Sequence, residues 1–223
     1  MGICVASFVA KRPSLKALYN YNFVKNSHSV DEILDELMGH SHEQEESDEH
    51  VWLSLRNAET LCEAISNELQ EIDPDNKDIY RANTSAYIEK LMALDSEYQS
   101  VVSGAAKNTI LFGDRFPFRY LVDDYGLEYY AAFGGCSAET EASFETIAFL
   151  AQKVDELDLK TVLTIEKSDG KIANTIIQNT NDKNETVLQM DSMQSTTLDD
   201  VKDGTTYLSI MESNLNVLKE ALQ

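Results

Sequence analysis

Three histidines within eleven positions are the residues of this chain with the clearest chemical potential. His40, His42 and His50 are interleaved with carboxylates in the stretch GHSHEQEESDEHVWL. Imidazole nitrogen and carboxylate oxygen together suit zinc and other divalent first-row metals. The apolar run VWL follows His50 at once, which predicts a ring held at the edge of packed structure, and a fixed histidine is the better ligand. The alternative interpretation is a solvated acidic loop that happens to contain histidine.

The best candidate for a nucleophile is Cys136, in the stretch GGCSAE. A turn between a strand and a helix is expected there, and its backbone amides could lower the pKa of the thiol. All four histidines lie between positions 28 and 50, so the sequence requires no cysteine–histidine pair. The chain also lacks the common P-loop, GxSxG, GxGxxG and HExxH signatures. A packing role for Cys136 is therefore the preferred interpretation.

Two amphipathic helices are predicted after His50. Apolar residues at helical spacing predict a first helix that ends at Asp73-Pro74, because proline cannot continue the hydrogen-bond ladder. A second periodic run predicts a helix of about 25 residues that closes at Gly104. The residues expected to form the buried faces are Ala58, Leu61, Cys62, Ile65, Leu69 and Ile72 for the first helix, and Tyr80, Tyr87, Leu91, Leu94, Tyr98 and Val101 for the second.

Four short runs rich in β-branched or aromatic residues follow, each trailed by helical periodicity. They span 109–112, 128–133, 161–165 and 186–190. This alternation predicts an α/β fold with a parallel sheet and flanking helices. Ligands of such sheets bind at the carboxyl ends of the strands. A site should therefore be sought in the segments 113–117, 134–139, 166–170 and 191–195.

Charged residues are unevenly distributed along the chain. The 223 residues carry 39 acidic and 18 basic side chains, and the net charge of −21 argues against a nucleic-acid partner. No apolar stretch is long enough to cross a membrane. Residues 1–27 hold four bases and no acid, whereas 31–49 hold nine acids and no base, a pattern typical of a solvated segment. We therefore predict an atypical segment at 1–47, a helical part at 48–104 and an α/β lobe at 105–223.

Several motifs in order resemble one family. The stretch DEHVWLSLRNAETLCEAI is similar to the D-x-H-x-W-L motif of the solute-binding proteins that serve zinc and manganese ABC importers. The resemblance covers roughly residues 48–223 and implies the carboxyl lobe of a two-lobed solute-binding protein, preceded by its long backbone helix. It continues through the second predicted helix and then through FGDRFPFRYLVDDYGL, GCSAETEASFETI, LTIEKSDGKIANTI and LQMDSMQS.

The resemblance also implies a set of metal ligands. His50 stands at the position of a family histidine that binds the metal, and Asp191 matches the family's acidic ligand at the end of the last strand. Asp114 is the side chain able to bind a cation where most relatives have histidine or glutamate. Water, His40 or His42 would supply the missing ligand. The segment with His40 and His42 resembles the His-rich loop of the zinc-specific branch and implies a weak secondary zinc collector.

The function implied by the resemblance is capture of Zn²⁺, or Mn²⁺, outside the membrane by a monomer that delivers it to an ABC permease. The family's amino-terminal lobe and lipoprotein signal are not recognised in residues 1–47, so we expect a truncated member without a visible signal peptide. An enzyme is not expected. The alternatives are a surface adhesion protein of the same family, a pseudo-receptor that no longer binds metal, and an α/β enzyme that uses Cys136.

Overall fold

The computed structural model describes residues 48–135 and 141–223. In this part, two single-turn helices precede or join larger elements, at Val51–Leu53 and Pro74–Asn76. The α-helices are α1 (Leu55–Ile72), α2 (Lys77–Gly104), α3 (Arg119–Tyr125), α4 (Phe144–Glu156), α5 (Lys171–Gln178), α6 (Leu198–Lys202) and α7 (Tyr207–Ala221). The strands are β1 (Thr109–Phe116), β2 (Glu128–Gly134), β3 (Thr161–Ile165) and β4 (Thr186–Met190).

The strands form one parallel sheet in the order β2-β1-β3-β4. This confirms the expected α/β class and the alternation of strands with helices. Every residue of β3 is buried, whereas only the last residue of the edge strand β4 is fully buried. Because all strands run in one direction, their carboxyl ends share one edge of the sheet. That edge is where the candidate residues must be sought.

Helices cover both faces of the sheet. Successive side chains of β1 point alternately to one face and to the other. Ile110 and Phe112 belong to the core shared with α1, α2, α3 and α7, while Leu111 belongs to the core shared with α4 and α5. Alternate residues of a strand point to opposite faces. The interior strand β1 is therefore buried on both sides, which the apolar run at 110–112 already indicates.

The predicted strand at 109–112 was too short. In the structure β1 continues to Phe116, so Gly113, Asp114 and Arg115 lie within the strand rather than in a segment that leaves it. Between Phe112 and Arg115 the pairing with β2 shifts, because three steps along β1 match two steps along β2. This irregularity is a β-bulge, and bulges change the direction of the side chains beside them.

Helices α1 and α2 form a hairpin, and α2 ends at Gly104 as predicted. Ser54 caps α1, because its side chain accepts a hydrogen bond from the backbone N–H of Asn57. The predicted apolar face of α1 is only partly buried. Ile65, Leu69 and Ile72 are 48%, 39% and 77% exposed, so the prediction was wrong for this half of the helix. No residue of α1 after Cys62 belongs to either described core.

Within residues 48–135 and 141–223 no helix has the length and apolar character needed to cross a membrane. The proposed division at residues 47 and 48 stays a prediction.

Candidate metal site

His50 is held in a fixed orientation just before the turn Val51–Leu53. Its side chain is almost fully buried. Its backbone N–H and its ring Nδ1 both lie 2.8 Å from Oδ1 of Asp48. A carboxylate only accepts hydrogen bonds, so Nδ1 carries the proton and Nε2 carries the lone pair in the neutral ring. This tautomer makes Nε2 the atom available to a metal ion.

Trp52 anchors the His50 segment to the carboxyl lobe. Its ring lies edge-on to the His50 ring at 5.4 Å between centroids, and its Nε1 donates to the carbonyl of Ser192 at 3.0 Å. The hydroxyl of Tyr207, on α7, donates to the carbonyl of Trp52 at 2.7 Å. The start of the described chain is thereby fixed against the segment that follows β4, as the packed context of His50 predicts.

Asp191 lies directly after β4, where the sequence predicts it. The side chain of Asn214, on α7, accepts the backbone N–H of Asp191 and donates to its carbonyl, each at 2.8 Å. One carboxylate oxygen accepts from the backbone N–H of Met193 at 2.7 Å. Burial raises the pKa of Asp191, and the carboxylates of Glu166 and Asp200 act in the same direction. A cation beside Asp191 would reverse this effect, because it favours the ionised form.

Glu166 organises the loop 191–195, and sequence reasoning did not single it out. Its carboxylate accepts hydrogen bonds from the backbone N–H of Ser192 at 2.8 Å, of Gln194 at 3.1 Å and of Ser195 at 3.3 Å. It also accepts the hydroxyl of Ser192. The position of Glu166 directly after β3, equivalent to that of Asp191 after β4, is the signal that could have identified it.

The loop brings Gln194 onto His50. The side-chain Nε2 of Gln194 lies 2.8 Å from Nε2 of the His50 ring. Since Nδ1 of the ring carries the proton, the amide donates and the ring nitrogen accepts. Gln194 lies in the segment 191–195, where the sequence predicts a site, but nothing in its residue type singles it out as a contact of His50 across 144 positions.

Asp114 lies within a strand and not, as predicted, in the segment after it. It lies inside β1 at the bulge, is 8% exposed, and accepts from the backbone N–H of Arg115 at 2.8 Å. The guanidinium Nε of Arg115 is 3.9 Å from the same oxygen. One strand, β3, separates β1 from β4, so the backbones of Asp114 and Asp191 are separated by two strand spacings, roughly 10 Å.

The structure therefore brings His50 close to the loop that begins at Asp191, with Asp114 two strands away. Within residues 48–135 and 141–223, no three His, Cys, Asp or Glu side chains are grouped closely enough to hold a metal ion. His50, Asp114 and Asp191 are thus not assembled as one set here. His40, His42 and Cys136 lie outside the described residues. The metal-ligand roles of all five predicted ligands, His40 and His42 included, stay predictions.

A family model matches most of the chain. Residues 9–221 match the model for ZnuA, described as zinc-uptake complex component A, periplasmic. The match begins well before Asp48 and includes every described residue up to Ala221.

Individual relatives agree with the family match. The zinc-binding lipoprotein AdcA of Streptococcus pneumoniae is 35% identical over 182 residues, which are 82% of this chain and 35% of AdcA. The chain thus spans about a third of the length of this curated relative. The metal-dependent lipoprotein YcdH from Bacillus subtilis, known from a crystal structure, is 29% identical in sequence, and its structure matches with a TM-score of 0.67. The match covers 79% of this chain and 65% of YcdH.

A third comparison bears on adhesion. The laminin-binding protein Lmb of Streptococcus agalactiae, described as a bifunctional protein with adhesin and metal transporting activity, is 25% identical with a TM-score of 0.69. The similarity covers 79% of this chain and 65% of Lmb. These neighbours confirm the expected fold, that of the two-lobed solute-binding proteins.

Proposed function

Because the chain belongs to the ZnuA family of zinc-uptake components, we propose that it binds Zn²⁺ outside the cytoplasm and delivers it to the permease of an ABC importer. The observation that carries the proposal is the fixed orientation and tautomer of the His50 ring. Its buried ring is fixed by Asp48 in the tautomer that presents Nε2 to a metal, beside the loop that begins at Asp191. The role is that of a binding protein rather than an enzyme.

Asp191 is the second ligand that we propose. It shares its loop with the residue that touches Nε2 of His50, and the carboxylates of Glu166 and Asp200 near it make a positive charge favourable there. One imidazole and one or two carboxylates form a harder donor set than three histidines, so Mn²⁺ is the competing cargo.

The described residues alone supply too few ligands. A zinc site takes four donors, and side chains outside the described ranges, among them His40 and His42, or water would complete it. Asp114 joins the set only if its carboxylate turns from Arg115 towards Asp191 across β3. We therefore rank His50 and Asp191 above Asp114 as ligands.

The test is calorimetric titration of the full chain with Zn²⁺, with Mn²⁺ as competitor. His50→Ala should lower zinc affinity at least tenfold, about 1.4 kcal/mol, and Asp191→Asn should weaken binding without changing the shape of the loop. Asp203→Asn, an exposed aspartate after α6, and His28→Ala serve as matched controls that keep full affinity. Zinc binding that survives both His50→Ala and Asp191→Asn contradicts the assignment.

Adhesion is the alternative that the similarity to Lmb supplies. We do not favour it, because the observations at His50 and Asp191 concern a metal ion and not a macromolecular surface. Binding of a host component that persists after chelation would support adhesion. A chain that binds neither Zn²⁺ nor Mn²⁺ would instead be the pseudo-receptor.

A further inference from the structure

The backbone of Gln194 is fixed although its side chain is exposed. Glu166 accepts its backbone N–H, and the ammonium of Lys167 donates to the carbonyl of the next residue, Ser195, at 2.9 Å. The amide of the side chain lies 2.8 Å from the unprotonated nitrogen of His50.

This contact uses the same lone pair that a metal ion would use. Nε2 of a neutral imidazole has one lone pair, so it cannot accept the Gln194 amide and bind a metal ion at the same time. A metal ion that reaches His50 must first displace the amide. Displacement costs one hydrogen bond, and solvent satisfies the released amide because Gln194 is at the surface.

We propose that Gln194 is a positioning residue that occupies Nε2 of His50 in the metal-free protein and competes with the incoming ion, thereby setting its affinity. This inference rests on the proposed function and deepens it.

The first measurement needs no metal. Long-range ¹H–¹⁵N correlation spectra of the metal-free protein report the two ring nitrogens of His50 separately. In Gln194→Ala the Nε2 signal should shift, because the amide no longer donates to this nitrogen, while Nδ1 stays protonated through Asp48. Gln189→Ala is the matched control, because Gln189 lies within the edge strand β4 and its side-chain amide donates to the carbonyl of Ile165 instead. It should leave both signals unchanged.

The second measurement is zinc titration of the same three proteins, using Zn²⁺ alone. Removal of a competing hydrogen bond should raise zinc affinity about three- to tenfold in Gln194→Ala, and Gln189→Ala should match the unmodified chain. An unchanged Nε2 signal in Gln194→Ala overturns the inference. So does an equal or lower zinc affinity, since a lower one would make Gln194 a ligand through its amide oxygen.

The two measurements separate this inference from the proposed function. If none of the three proteins binds zinc while the Nε2 signal moves in Gln194→Ala, the proposed function fails. The competition between Gln194 and a metal ion then fails with it, and only the hydrogen bond between Gln194 and His50 is supported. If zinc binds equally to all three proteins, the proposed function survives and the role of Gln194 is refuted.

Discussion

Glu166 and Ser192 form a tight pair at the carboxyl edge of the sheet, in which the backbone N–H and the hydroxyl of Ser192 both donate to the Glu166 carboxylate at 2.8 Å. Ser192 is fully buried, so water cannot replace these bonds. The pair joins the end of β3 to the loop after β4. Glu166 therefore contributes much of what positions that loop and Gln194, while Asn214 holds the backbone of Asp191.

Glu166→Gln is predicted to loosen the loop. An amide nitrogen in place of one carboxylate oxygen would face N–H donors and could accept none of them. Hydrogen bonds to charged groups contribute about 1.5–3 kcal/mol each, so we expect a loss of about 2 kcal/mol in the free energy of unfolding and weaker zinc binding. Denaturant titration and calorimetry measure the two effects. Glu212→Gln, an exposed glutamate within α7, is the control, and equal stability of both variants would contradict the prediction.

The sequence correctly predicted the position of Asp191 directly after a strand but misplaced Asp114, and the difference has a physical cause. A strand that ends in a regular turn is recognisable from its β-branched run, as 186–190 is. At β1 the run is interrupted by Gly113, which suggests an end, although the bulge lets the strand continue to Phe116. Local patterns do not reveal a bulge, because its pairing depends on the neighbouring strand.

The other missed features depend on contacts between distant segments. The role of Gln194 arises from His50 across 144 positions, and that of Glu166 from backbone groups of another loop. The exposed half of α1 is a third case. Its periodicity correctly predicted a helix, but periodicity does not say whether a partner covers the apolar face.

Gly113→Ala is predicted to destabilise the lobe. A Cβ atom at this position would lie 2.5 Å from Cα of Ala173, which belongs to the backbone of α5 and cannot move aside cheaply. We expect a loss of about 2 kcal/mol or more, as for other overpacked sites. Thermal unfolding measures it.

Gly104→Ala is the matched control for that change. Gly104 is the last residue of α2, and a Cβ atom there would have no heavy atom within 4 Å. Because alanine favours a helix over glycine, this variant should gain up to about 1 kcal/mol. Equal effects of the two substitutions would mean that α5 does not pack against β1 as described.

Asp124 is predicted to make stability depend on pH. Burial raises its pKa from 3.8 to about 6, although the Ser54 hydroxyl, 2.6 Å away, and Arg56 oppose the shift. The folded state therefore holds this proton more tightly than the unfolded state, and stability falls as the pH rises from about 4 to about 7. The pKa of Asp124 differs by about two units between the unfolded and folded states. The resulting loss in the free energy of unfolding is at most about 3 kcal/mol.

The variant Asp124→Asn isolates this effect. The amide oxygen can still accept the Ser54 hydroxyl, but the side chain no longer ionises. The variant should gain stability over the unmodified chain as the pH rises, with the gain complete near pH 7 and absent near pH 4. Urea unfolding at several pH values measures the difference, and a difference that does not vary with pH would refute the assigned cause.

The proposed boundary at Asp48 leads to a further prediction. The regular apolar periodicity of the sequence begins only near Asp48, so a chain that begins there should unfold in one cooperative transition. Calorimetry of that shortened chain beside the full one tests it. A broad transition without a heat-capacity peak would show that the folded body needs residues before Asp48.

The two halves of α2 should open at different free energies. Leu91, Leu94 and Tyr98 are its buried residues, and the Tyr98 hydroxyl donates to the carbonyl of Met211 at 2.7 Å. The first turns of α2 pack along α1, where Tyr80 and Asp73 form a hydrogen bond near the surface. Amide hydrogens near Tyr98 should therefore exchange with solvent only when the whole lobe unfolds, while those near Tyr80 exchange through local opening. One continuous helix would then span two cooperative units, and a force applied to the hairpin tip would unravel its turns before it reached the sheet.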